Sequence, residues 1–194
     1  RSFALILVLG ILVTSGNFNP LALGFPDWRK SELGTAIRDV LANDPAVQDG
    51  ETPPLWLPYG GDYPSAGTLA VLMGARSLGG VYYYPQPELW APLDPKGKER
   101  YRYNRFAITR LDYGQLRSSR IEFQTRGPSL LTVTASPLNP KLWRMGARYV
   151  LTFGDESALT RSKLELLHRG GNFAIWRIPA PRNPVRRAQT ARQR

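Results

Sequence analysis

The chain reads as an α/β protein: a single domain with a mixed, partly antiparallel sheet flanked by helices, preceded by the end of a transmembrane helix. Three observations predict this. A helix-periodic segment, Asp27 to Asn43, comes before the first strand pattern. A strand, a glycine-bearing loop and a helix then follow one another from Leu55 to Leu78, the order of a β-α-β unit. Three alternating segments and a closing hairpin supply the antiparallel part.

Phe3 to Val13 is an unbroken apolar run, FALILVLGILV. A full bilayer span needs about 20 apolar residues, so the run is read as the outer end of a transmembrane helix. A signal-peptide core or a buried helix are the other two readings. Residues 1–15 are therefore assigned to the membrane, 16–180 to an extracytoplasmic α/β domain, and 181–194 to a disordered tail. In the helix Asp27 to Asn43, Leu33, Ile37, Val40 and Leu41 share one face, and Asp44-Pro45 ends it. Ala46 to Pro54 is a polar loop and Leu55-Trp56-Leu57 a short strand. Ser65 caps a helix from Ala66 to Leu78, with Leu69, Leu72 and Met73 inward. Val81 to Tyr84 is the next strand, stopped by Pro85 and Pro87, and should complete a right-handed crossover. Pro95 to Arg105 reads as helix. Ala107 to Tyr113, Arg120 to Thr125 and Leu130 to Ala135 read as strands, with turns at Gly114 and Gly127-Pro128. Pro140 opens a short helix that buries Leu142 and Met145 and closes at Gly146. Arg148 to Phe153 is a buried strand, and Lys163 to His168 pairs with Phe173 to Ile178 across Gly170-Gly171-Asn172.

The absence of cysteine excludes a disulfide scaffold, a thiolate metal site and a cysteine nucleophile. The net charge of +11 admits nucleic acid, anionic lipid or an acidic polymer as partner. Much of it lies in the tail, where Arg182, Arg186, Arg187, Arg192 and Arg194 stand without an acid. The tail is either solvated or a contact for anionic lipid or polymer. The rest of the charge is scattered, whereas a nucleic-acid module gathers it on one stripe, so no nucleic acid is expected.

Catalytic signals are sparse. The single histidine, His168, cannot build a His-rich metal site and reads as structural or surface. Neither a G-x-S-x-G elbow nor H-E-x-x-H occurs. No catalytic residue, metal site or cofactor is assigned. The informative stretch is Gly79 to Ala107, GGVYYYPQPELWAPLDPKGKERYRYNRFA, where aromatics crowd among polar groups. A ring that stacks beside groups that orient hydroxyls makes a sugar-binding surface; core packing and membrane-interface anchoring are the alternatives. The candidate ligand-binding residues are Asp62, Tyr83, Glu88, Trp90, Asn104 and Arg105. Asn104 offers donor and acceptor, Arg105 a fork of donors, and Tyr83 or Trp90 a stacking wall. The alternative for Asn104 and Arg105 is to tie the loop Pro85 to Asp94 onto the domain.

The order of motifs carries a resemblance. GVYYYP-x-P-E-L-W-x-x-L-D-P is followed by YNRFA, then LNPKLWRMGARYVLTFGD, then the GGNFAIWRIP hairpin. From about Gly16 to Ala180 the chain resembles the C-terminal extracytoplasmic domain of bacterial multi-pass membrane proteins related to the C superfamily of glycosyltransferases. That resemblance implies work on cell-envelope polysaccharide or glycolipid. It implies sugars delivered from polyprenyl-phosphate donors, and a catalytic acid in an early loop between transmembrane helices, outside this chain. The basic tail and Ala107-Ile108, where a histidine often follows the aromatic, depart from the pattern. The expected role is an accessory or acceptor-binding domain on the outer face of a bacterial plasma membrane. A non-enzymatic carbohydrate-binding or envelope scaffold module is the alternative, and a nucleic-acid-binding protein a third class resting on charge alone.

Overall fold

A computed structural model describes residues 27–60, 65–113, 120–154 and 163–180. The apolar run, the loop holding Asp62, Gly114 and the basic tail lie outside the described residues. The chain divides into Arg1–Ser31 and Glu32–Arg194. Of the first, the described part is one 3-10 turn, Trp28–Lys30, opened by Asp27, whose carboxylate accepts the Arg29 N–H.

The second unit is α/β. Helix α1 (Glu32–Ala42) buries Ile37 and Leu41, with Leu33 and Val40 packed beside them, as their spacing predicts. Asp44 then caps a second short helix, α2 (Pro45–Gln48), where the sequence suggested only loop. The Asp44 side chain accepts the Ala46 N–H and Pro45 sits at the first position, so a local capping motif does what apolar periodicity could not signal. Strand β1 (Leu55–Gly60) leads towards α3 (Ser65–Leu72), followed by β2 (Arg76–Ser77) and β3 (Gly80–Val81). Short helices α4 (Pro87–Trp90) and α5 (Arg100–Tyr103) precede β4 (Ile108–Tyr113), β5 (Ile121–Arg126) and β6 (Leu130–Ala135). Helix α6 (Pro140–Arg144), β7 (Ala147–Phe153), β8 (Glu165–Arg169) and β9 (Phe173–Arg177) complete the fold.

Among the described residues nine strands form one mixed sheet in the order β5-β6-β4-β1-β7-β9-β8, with β2 on β1 and β3 on β4. The four central strands β6, β4, β1 and β7 are parallel; β5 and the β9–β8 hairpin add antiparallel edges. Side chains alternate across the sheet. One face carries Leu55, Leu57, Tyr59 and Val133 against Trp90, Tyr103 and Leu142. The other carries Trp56, Leu151 and Ile175 against Ile37, Leu41 and Leu69 of α1 and α3. No helix among the described residues is long and apolar enough to cross a membrane.

Strand β1 treats its two neighbours differently. It pairs with β7 from Leu55 to Gly60, but meets β4 only at Tyr59↔Leu111. The gap between the amino-terminal halves of β1 and β4 is filled by a wedge of chain. β2 climbs parallel to β1, turns at Leu78-Gly79, and β3 descends antiparallel to β4. This explains a proline inside a central strand. The Trp56 carbonyl accepts the Leu78 N–H, so the ring nitrogen of Pro58, two residues on, faces the wedge tip rather than a full ladder.

Three sequence expectations are corrected here. The strand expected over Val81 to Tyr84 stops at Val81, because its partner β4 begins only at Ile108, and the parallel partner of β1 after α3 is β2. The helix expected to Leu78 stops at Leu72, the chain turns at Gly74 (φ 92°), and Leu72 is exposed rather than inward. The helix expected over Pro95 to Arg105 is confined to Arg100–Tyr103, since Gly97 at φ 63° breaks it.

Candidate ligand-binding site at the amino edge of the central strands

The wedge positions the central stretch. Close backbone approach requires glycine at its base: a Cβ on Gly67 would lie 1.7 Å from the Gly79 carbonyl oxygen. Ser77 Oγ donates to that same oxygen at 2.7 Å, and Val81 N–H donates to Thr68 Oγ1 at 2.9 Å. Tyr82 closes the root. Its hydroxyl donates to the Ser77 carbonyl (2.7 Å) and its N–H to the Ala107 carbonyl (3.0 Å). Burial pushes the Tyr82 hydroxyl pKa up to about 12, so it stays a donor at neutral pH.

Beyond that root the next two rings stand in solvent. Tyr83 is 90% and Tyr84 68% exposed, and they meet edge to face with centroids 5.0 Å apart. Gln86 Nε2 donates to the Tyr84 carbonyl at 3.1 Å, holding the loop before Pro87 opens α4. Glu88 lies exposed in the first turn of that helix.

Trp90 goes the other way. It is fully buried, edge-on to Phe123 at 6.1 Å, and cannot serve as a stacking wall for a ligand. The reason is the α4 backbone, which turns Trp90 inward beside Leu93 and Tyr103. The segment that follows is tied down by groups the sequence reading did not single out. Asp94 accepts the N–H groups of Lys98 (3.1 Å) and Glu99 (2.7 Å). Arg102 Nη1 donates to Glu99 Oε2 and to the Phe123 carbonyl, both at 2.7 Å. Lys141 Nζ reaches the Leu93 carbonyl at 3.3 Å.

Asn104 and Arg105 are exposed. Asn104 ends α5 through its backbone N–H, and the Arg105 guanidinium lies 5.6 Å from the Phe106 ring centre. The bonds that tie this region down are made by Asp94, Arg102 and Lys141, not by the side chains of Asn104 or Arg105. The register brings them towards the tyrosines. Gly80↔Thr109 and Val81↔Ile108 are followed by the Tyr82–Ala107 bond, so Tyr83-Tyr84 leave where Asn104-Arg105-Phe106 arrive. Tyr83 and the Asn104-Arg105 pair thus lie on the two chain segments that flank the amino end of β4. Asp62 lies outside the described residues, so its place relative to this group is not described. Tyr84 and Gln86 belong to the same ledge, and their signal was position alone, flanking a proline that holds the backbone extended.

Among the described residues, no three His, Cys, Asp or Glu side chains gather closely enough to hold a metal ion. The ledge offers ring faces, a carboxamide and a guanidinium, which suit a neutral hydroxylated ligand better than acid–base chemistry.

Comparison with known proteins returns one family model, described as "Domain of unknown function (DUF7654)", which matches residues 30–181. Comparison with curated proteins gives no match, and comparison with solved structures gives none. Since the matched region takes in every described strand and helix from α1 to β9, the chain belongs to the family described as Domain of unknown function (DUF7654).

Proposed function

We propose that this is a glycan-binding domain of a glycosyltransferase-like membrane protein, serving an accessory or acceptor-binding role in cell-envelope polysaccharide or glycolipid modification. The domain stands on the outer face of a bacterial plasma membrane, and the chemistry belongs to another part of the whole protein. The observation that carries the reading is the Tyr83–Tyr84 pair, two exposed rings on an anchored loop. Flexible loops seldom hold aromatic faces in water, because an exposed ring is more stable folded against its own surface. A sugar ring stacks on such a face while Asn104 and Arg105 bond its hydroxyls.

Asn104→Ala with Arg105→Ala in the whole membrane protein tests this. Loss of glycan modification at unchanged melting temperature is expected. Unchanged modification would remove these residues from the function. Placement is tested separately: a reporter active only in the cytoplasm, fused after Pro179, should be silent, and a strong signal would contradict an outer location.

A scaffold role is the second reading, favoured by the exposed Val81 and Leu72 beside the ledge. Leu72 lies one turn along α3 from Thr68, which bonds Val81. A scaffold would keep its partner when glycan is absent, whereas a glycan-binding domain would not.

A further inference from the structure

The amino edge of the sheet continues past the ledge into a row of arginines. Arg76, Leu55 and Ala147 stand side by side on β2, β1 and β7. From β2 to β7 the row covers two strand spacings, about 10 Å. The Tyr82 hydroxyl bonds the carbonyl of Ser77, the residue after Arg76, so the root of the ledge and the start of the row share one anchor.

A β-bulge builds the far end of the row. Leu55 pairs with Ala147 but Trp56 pairs with Tyr149, so Arg148 is the extra residue of β7. Bulges are rare between parallel strands, and they re-aim a side chain. This one sends Arg148 back over the end of α6, where its guanidinium lies 3.6 Å from the centre of the Trp143 ring. Nη1 donates to the carbonyls of Trp143 (3.1 Å) and Ala147 (2.9 Å). The fork is held by these contacts, while Nε and Nη2 donate to no group among the described residues. Gly146, at φ 93°, lies two residues from both Arg144 and Arg148. Its chain neighbours apart, a Cβ there would meet nothing nearer than Arg76 Nη1, at 3.9 Å. Open space therefore separates the Arg76 guanidinium from the α6–β7 turn.

These arginines also lack what others on the domain have. Arg102, Arg110, Arg126 and Arg177 each form an ion pair with a carboxylate. Among the described residues no such pair reaches Arg76, Arg144 or Arg148. Burial pulls the Arg148 pKa down, and the fields of Asp44 and Tyr149 act against it. Asp44 is itself buried, and its oxygens already hold the Ala46 N–H and the Tyr149 hydroxyl.

We propose that this row binds the acidic groups, carboxylate or phosphate, of an envelope glycan whose neutral rings lie on the ledge. The proposal rests on the glycan reading above and names its ligand class, an acidic polysaccharide. A guanidinium fork takes an oxyanion through two parallel N–H donors, and a fork already stacked and bonded loses little freedom in doing so. The space beside Gly146 admits the anion, and the anion supplies the counter-charge that the three arginines lack.

The test titrates the full 194-residue chain at physiological salt. The ligands are a hexuronate oligosaccharide, the same oligosaccharide after reduction of its carboxylates to alcohols, and an oligosaccharide linked through phosphodiesters. At least one acidic oligosaccharide should bind about ten-fold or more tighter than the reduced one, and the comparison between the two shows which acid group the row takes. Arg76→Gln with Arg144→Gln should remove that preference at unchanged melting temperature. Arg148→Lys keeps the charge but loses the fork and should weaken the acidic oligosaccharide by about ten-fold as well. Arg186→Gln with Arg187→Gln, in the tail, should leave the preference intact. Equal binding of acidic and reduced oligosaccharides, a preference that survives in Arg76→Gln with Arg144→Gln, or one that disappears with the tail arginines instead would overturn the proposal. So would phosphatidylglycerol vesicles or duplex DNA that bind as tightly through the same arginines. Tyr83→Ala with Tyr84→Ala separates this proposal from the ledge. If that variant loses both acidic and reduced oligosaccharides while the arginine variants change nothing, the row fails and the ledge stands. If it changes nothing while the arginine variants lose the acidic ligand, the ledge fails and the row stands.

Discussion

The tyrosine ledge and the packing beneath α1 are built in opposite ways. The rings of the ledge are local: Tyr83 and Tyr84 leave the sheet beside the amino end of β4 and are exposed. The packing beneath α1 is assembled from distant chain: Tyr149 donates its buried hydroxyl to Asp44, 105 residues away. The first can be erased without touching the core. The second leans on buried contacts, so perturbing it costs stability. The two regions therefore differ in how cleanly mutation can separate surface from folding.

The sharpest form of that contrast lies inside the central stretch itself. Trp90→Ala empties a fully buried site and should destabilise the chain by about 3–5 kcal/mol, read from the urea midpoint. A loss below about 1 kcal/mol would mean that α4 does not seal the core. Next is Gly67→Ala. Its new Cβ would meet the backbone of Gly79, which cannot retreat without opening the wedge. A cost of about 1–3 kcal/mol or more is expected in the same measurement. A neutral result would show that the wedge slides freely between β1 and β4.

Tyr149→Phe probes the packing beneath α1. It leaves the buried Asp44 with one donor fewer and should cost about 1–3 kcal/mol at neutral pH. The alkaline limb sharpens this. Burial, then Asp44, push the Tyr149 pKa from 10.0 to about 12. The folded chain keeps this proton between pH 10.0 and about 12 while the unfolded chain gives it up. Stability from this group is therefore full below pH 10.0 and falls through that window, by roughly 1.4 kcal/mol per pH unit. Tyr82, with a pKa raised by burial to about 12, and Tyr59, raised further by burial and by Tyr113, add to the slope. Tyr149→Phe should flatten the limb only in part; an unchanged slope would place the Tyr149 hydroxyl in water.

Much of the fold was legible because its signals are periodic. Ile37 and Leu41 of α1, the Asn139-Pro140 start of α6 and the glycine turn of the last hairpin all appear where pattern places them. Two kinds of feature were not legible. The wedge depends on which strands stay apart, and nothing in Val81 to Tyr84 states that β4 starts too late to pair with it. The bulge at Leu167 is equally silent: the run ELLHR reads as regular strand, yet one extra residue decides which face receives His168. The candidate site was half legible for the same reason. Asn104 and Arg105 stand exposed at the end of a helix, where an αβ junction places polar side chains, but the inward turn of Trp90 depends on Phe123, which follows it by more than thirty positions.

The smallest effect on stability belongs to the ledge. Tyr83→Ala and Tyr84→Ala should each change stability by no more than about 0.5 kcal/mol, because neither ring is buried. That leaves binding free to report on function. The decisive measurement is calorimetric titration of the full chain with a soluble envelope polysaccharide, comparing the native protein with the double Tyr83→Ala, Tyr84→Ala variant. A glycan-binding ledge predicts saturable binding by the native chain and a loss of roughly ten-fold or more in the variant, at equal melting temperature. Equal affinity in the two proteins, or no binding by either, would contradict it.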